Sequence, residues 1–193
     1  MLHESGTRFD HYFCDFDRNF FVTGEGGSPQ QHAHGGAHGG AHGGILGAAC
    51  TTRLDDATRR THDAVWQATE AGIAAAVPGA RTCDVWRAMA DTMVSAVAAQ
   101  GGDLDMDAFS TGRLGHGLGL ELTEWPSITE DDTTVLQAGM VMTIEPGMPV
   151  LGHADGDQGK MIVHEENVVV REGGAEMLSK RAPREMATLP GVW

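Results

Sequence analysis

Positive charge is what this chain has least of. Thirteen Lys and Arg stand against 27 Asp and Glu, a formal net charge of −14. Binding nucleic acid or an anionic membrane requires a basic surface, so neither is expected as the main partner. Cysteine is also sparse. Cys14, Cys50 and Cys83 are odd in number, scattered and without metal-type spacing. That excludes a disulfide framework and fits a reducing, cytoplasmic setting. No apolar run approaches the roughly 18 residues of a membrane-spanning helix, so no span is expected. The opening residues, Met1 to Arg8, lack a signal-peptide apolar core.

What remains is a chain of 193 residues, enough for one domain with its own core. Most of its acidic residues are read as solvated surface. Some belong to a pattern between Gly112 and Val170. His116 is held between glycines in Gly115-His116-Gly117-Leu118-Gly119. Glu145 closes an apolar β-type run, Met140 to Ile144, and is followed by Pro146-Gly147. Glu165 stands against the β-branched run Val168-Val169-Val170, in a strand expected to run from Met161 to Arg171. Carboxylates on strands suit divalent cations, and one imidazole among them shifts the preference toward Mn, Co, Fe or Zn. The pattern predicts a carboxylate-rich metal site built on a sheet.

Taken in order, residues 1–24 predict a β-hairpin with Phe13, Asp15, Asp17, Asn19 and Phe21 on one face. If it closes about Phe9-Asp10, Glu4 falls opposite Asp15, an unfavourable pairing unless positive charge lies between them. By themselves, both would be read as solvent-facing on an edge hairpin. Residues 25–50 carry the Gly-Gly-Ala-His repeats with His34, His38 and His42. They are read as a flexible insertion, with weak metal capture the lesser alternative. Two amphipathic helices follow, one from Asp55 to Pro78-Gly79 and one from Thr82 to Gly101-Gly102. Trp66 and Trp86 are expected in the core, and His62 on the apolar stripe reads as a core histidine. Glu130 to Gly139 and His153 to Lys160 read as loops, and the last twenty residues are weakly patterned.

The combination of the Gly-His-Gly-Leu-Gly segment, Gly139-Met-Val-Met-Thr-Ile-Glu145-Pro-Gly147 and the later Glu165-Glu-Asn167-Val resembles the pita-bread metallopeptidases. That family includes methionine aminopeptidase, prolidase and aminopeptidase P, with creatinase as a metal-free relative. The likeness is strongest on the Xaa-Pro peptidase side and covers most of the chain outside the Gly/His insertion.

The resemblance implies an α+β, partial pita-bread fold: a curved antiparallel sheet with helices on its outer face. Residues 1–193 would form a single C-terminal catalytic-type domain, with the two helices and the metal-site strands in 51–193. Family sites hold two divalent ions. By resemblance Asp15 and Glu165 bridge them, Glu4 serves one, and His116 with Glu145 serve the other. The implied reaction is cleavage of an amide bond in small peptides by a metal-bridging hydroxide, with Glu145 moving the proton. Glu4 stands where relatives carry Asp. Thr123 stands at a substrate-contacting position where relatives carry a second histidine. Relatives also carry a long segment ahead of the hairpin, so much of the first half of the sheet is expected to be missing. Two alternatives follow: an impaired relative with weak metal binding, and a creatinase-like amidinohydrolase using His116 without metal. The expected partner is a small peptide or amide, with a homodimer left open.

Overall fold

The computed structural model describes residues 2–23, 54–102, 112–150 and 161–190, with the side chains of 2–5, 23 and 190 left aside. The Gly/His insertion, the 103–110 stretch and the 153–160 loop lie outside the described residues.

Local chemistry sets both helices. In α1, Asp56–Ala75, the Asp55 carboxylate caps the N-terminus by accepting from the Thr58 N–H at 2.8 Å. Pro78 and Gly79 (φ +88°) then turn the chain. In α2, Thr82–Ala98, the cap comes from a distant loop instead. Thr82 N–H donates to Thr134 O and Cys83 N–H to Asp132 O. The Asp132 carboxylate in turn accepts from the backbone N–H groups of Ser127 and Thr134. The loop read from Glu130 onward is therefore the lid of a helix terminus. Gly72 lets the helices and sheet close together, because a Cβ there would lie 2.6 Å from Met89 Sδ and 2.8 Å from Ile144.

Among the described residues, ten strands form three sheets. The first joins β1 (Leu2–Phe9), β2 (Tyr12–Thr23) and β10 (Ala187–Pro190), with β10 parallel to β2. The second has the order β4 (Glu124–Ser127), β3 (His116–Gly117), β5 (Val141–Ile144), β8 (Glu166–Arg171), β9 (Gly174–Met177). The third is the pair β6 (Gly147–Pro149) and β7 (Met161–Val163). Met89, Met93, Ile128, Met142, Ile144, Met148 and Val168 are among the residues packing helices onto sheet. Among the described residues no helix is long and apolar enough to cross a membrane.

Three expectations are corrected. The strand expected from Met161 to Arg171 is two strands in different sheets, broken at His164-Glu165. Trp66 is half-buried rather than core, covered by the guanidinium groups of Arg181 and Arg184 at 4.6 and 5.5 Å. The weakly patterned tail contains β9, which folds back on the adjacent β8, and β10, whose partner β2 lies far away in sequence.

Candidate metal centre

Two glutamates meet where the strands break. Ile144 pairs with Glu166 in the second sheet and Gly147 with Val163 in the third. Both pairs share one register, so Glu145 and Pro146 lie across from Glu165 and His164. Pro146 has no N–H to donate, which interrupts the ladder; His164 N–H still reaches Pro146 O at 3.2 Å. Neither glutamate lies inside a strand. Each sits in the gap between two sheets, where the side chain is not flattened onto a pleated face.

His116 approaches the same point from β3. A Cβ at Gly115 would come 2.3 Å from Thr143 O, and one at Gly117 2.6 Å from Trp125 O. Only glycine permits so close a backbone approach on either side of the histidine. His116 N–H donates to Thr143 Oγ1 at 3.0 Å, and its Nδ1 lies 2.8 Å from Gly117 O. A carbonyl can only accept, so Nδ1 carries a proton and Nε2 is the ring nitrogen turned toward the carboxylates. Nε2 faces Glu145 Oε1 at 3.8 Å and Asp15 Oδ2 at 4.0 Å.

The hairpin delivers Asp15, but not in the expected register. The turn is Asp10-His11, both at positive φ (47° and 74°), one residue later than a turn about Phe9-Asp10. Gly6 therefore faces Asp15, and Glu4 faces Asp17 rather than Asp15. Asp15, Asp17 and Asn19 are buried on one face, against the solvent-facing reading of the hairpin. Asn167 docks this strand by imitating a neighbouring backbone. Its Oδ1 accepts from Asp15 N–H at 3.1 Å and its Nδ2 donates to Asp15 O. Arg18 completes the attachment, donating to Glu165 O at 2.7 Å and to the Glu166 carboxylate at 2.9 Å.

The outcome is a cluster in which Asp15, His116 and Glu165 each offer a ligand atom within 4.8 Å of the others. Glu145 touches it through both His116 and a hydrogen bond with Glu165. Burial, then the charges of Glu145, Asp15 and Asp17, pushes the Glu165 carboxyl up to about 10. Burial likewise raises Glu145 above the ordinary carboxylate range. Glu165 Oε1 is buried without a hydrogen-bond partner among the described residues. Mixed carboxylate and imidazole donors, crowded like charge and an orphaned oxygen together fit a borderline divalent cation. Metal binding would hold these groups deprotonated.

The profile of metallopeptidase family M24 matches residues 1–172. The chain belongs to metallopeptidase family M24. Among M24 relatives, the Xaa-Pro dipeptidase of Pyrococcus furiosus is 37% identical over 124 residues, covering 63% of this chain and 31% of that protein. A dipeptidase structure from Pyrococcus horikoshii superposes with a TM-score of 0.68 at 24% identity, covering 97% of this chain and 40% of the other. The N-terminal domain of FACT complex subunit SPT16 from chickpea gives 0.69 at 14% identity, covering 96% and 36%. The fold is thus part of a pita-bread fold, and the chain spans well under half the length of these relatives.

The structure brings Asp15, His116, Glu145 and Glu165 together. Glu4 is described by its backbone alone, in register with Asp17. Thr123 is exposed just before β4, its Oγ1 3.5 Å from Arg113. The sequence reading assigned no role to Asn167, Arg18 or Arg113, nor did it foresee the buried contact between His62 and His164, whose ring centroids are 4.4 Å apart. Arg18 lies three residues after Asp15, Arg113 three before His116 and Asn167 two after Glu165. Proximity to a ligand was the one signal available for them.

Proposed function

We propose that this chain carries the active centre of a hydrolase of the Xaa-Pro peptidase type, using two divalent ions to cleave an amide bond in small peptides. The observation that supports this best is the convergence of Asp15, His116 and Glu165 within 4.8 Å, with Glu145 alongside. Asp15, His116 through Nε2, Glu145 and Glu165 would hold the ions. Glu4 is the expected fifth ligand. The ions, when bound, activate a water and polarise the scissile carbonyl.

The residues then have distinct tasks. His116 directs Nε2 into the cluster because Gly117 O holds a proton on Nδ1. Glu145, whose proton affinity is raised by burial, accepts a proton from the attacking water and returns it to the leaving amine. Arg18 and Asn167 fix the hairpin that carries Asp15, and Thr123 lies on the substrate side.

Elemental analysis of the purified protein, paired with hydrolysis of Gly-Pro and Ala-Pro after adding Mn²⁺ or Co²⁺, tests this reading. Metal retained with metal-dependent cleavage supports it. His116→Ala should lose metal and abolish cleavage; unchanged metal content and turnover in that variant reject the site. A folded protein with neither metal nor cleavage points to the impaired relative. Metal-independent hydrolysis of an amidino substrate points to the creatinase-like alternative.

A further inference from the structure

We infer that Asp17 is a further metal ligand, an acid outside the donor set that the family resemblance implies, serving the ion that His116 does not hold. The inference rests on the two-ion reading above and adds to it a residue peculiar to this chain.

The backbone places Asp17 beside Glu165. Arg18 Nη1 donates to Asp17 O at 2.8 Å and to Glu165 O at 2.7 Å, so a single nitrogen spans the two carbonyls. Contacts on either side give the same register. Asn167 binds the N–H and the carbonyl of Asp15, and Asn19 Nδ2 donates to Val163 O at 2.6 Å. Advancing along β2 from Asp15 to Asn19 therefore matches retreating from Asn167 to Val163. The midpoints of those two segments are Asp17 and Glu165.

Alternation turns the Asp17 side chain to the face that carries Asp15, and both are buried. Asp17 is close enough for its charge to bear on Glu165. Arg18 pairs with the Glu166 carboxylate at 2.9 Å and reaches Asp17 and Glu165 through their backbone oxygens. Two orphaned oxygens flank the position. Glu165 Oε1 and Asn19 Oδ1 are buried without hydrogen-bond partners among the described residues, in side chains that belong to residues only 2% and 6% exposed. Orphaned oxygens beside a third carboxylate call for a cation. Asp17 is not one of the three donors that converge at His116, so the ion it can serve is the other one. Oxygen donors on that side favour a hard cation such as Mn²⁺, while the imidazole side admits Co²⁺ or Zn²⁺.

Calorimetric titration of the metal-free protein with Mn²⁺, without substrate, provides the test. Asp17→Asn should weaken one of two Mn²⁺ sites by at least about tenfold and leave the other nearly unchanged. Equal weakening of both sites would mark Asp17 as a nearby charge rather than a ligand, and overturns the inference; so does unchanged affinity at both. Where Asp17→Asn does not fold, Mn²⁺-soaked crystals of the wild type decide the matter. An anomalous Mn²⁺ peak with an Asp17 oxygen at about 2.0–2.6 Å supports ligation, and an occupied centre with that oxygen beyond this range overturns it. The peptidase reading fails separately. Asp17 bound to metal with no cleavage of Gly-Pro rejects the peptidase activity alone, whereas cleavage with Asp17 away from both ions rejects its role alone. A wild type that takes up no Mn²⁺ overturns both.

Discussion

Glu165 and Glu166 are consecutive, both fully buried, and opposite in circumstance. Glu166 is compensated by protein. Its oxygens accept from Arg18 at 2.9 Å, Arg181 at 3.2 Å, the Ala182 N–H at 2.8 Å and the Ser179 hydroxyl. Glu165 is surrounded by other acids, and its carboxyl is pushed up to about 10 by burial and by Glu145, Asp15 and Asp17. The difference arises because Glu165 lies in the gap before β8, while Glu166 is the first residue of β8 and pairs with Ile144. One carboxylate meets the arginines of the tail and hairpin; the other meets the gap between sheets. A buried acid is tolerated where countercharge is covalently part of the chain, and otherwise calls for an ion.

The largest effect should come from breaking the compensated side. Glu166→Ala leaves two arginines and two further donors facing an apolar methyl. Chemical denaturation should register a loss of about 3–5 kcal/mol, typical of removing one partner from a buried ion pair. A loss below about 1 kcal/mol would mean that solvent already supports this network.

The next test uses groups that lack compensation as Glu165 does. His62 and His164 are in edge-to-face contact, and both His164 ring nitrogens are without hydrogen-bond partners among the described residues. Burial lowers His62 to about 4 and His164 to about 2, from 6.5. Both folded-state values lie below the unfolded one. The unfolded chain therefore takes up more protons as the pH drops below 6.5, and stability falls with it. For His62 alone the loss approaches about 3 kcal/mol as pH falls from 6.5 toward 4. Urea midpoints measured from pH 7 to pH 4 should fall steadily. His62→Leu should flatten that slope; an unaltered slope would place its cause elsewhere.

The smallest effect should separate the two glutamates by sign. In metal-free protein Glu165→Gln relieves crowding among acids, so stability should hold or rise by on the order of 1 kcal/mol. Mn²⁺ or Zn²⁺ at a hundredfold over its dissociation constant should stabilise the wild type by about 2.7 kcal/mol, and the variant by far less. Equal metal-induced stabilisation of both proteins would remove Glu165 from the site.

Much of this was legible beforehand. The helical periodicity, the Pro78-Gly79 stop, the glycines flanking His116 and the end of β5 just before Glu145 are local signals, and those elements formed where the signals placed them. The hairpin existed as expected, yet its register moved because Asp10-His11 makes the turn and two non-glycine residues at positive φ leave little trace in a sequence. The 161–171 run looked like one strand because β-branched residues continue through it; the break at His164-Glu165 reflects Pro146 on the opposite strand. Trp66 looked like core because two arginines over a hundred residues away cover it instead of aliphatic side chains.

By itself the sequence determined which side chains could take part: a histidine that needs glycine on both sides, a glutamate stopped by Pro-Gly, and acids too many for the bases available. Tertiary structure alone decided which of those acids would be neutralised by arginine and which would be left facing one another. Charge compensation acts over a few ångströms, and the arginines that neutralise Glu166 lie 15 and 148 residues away along the chain.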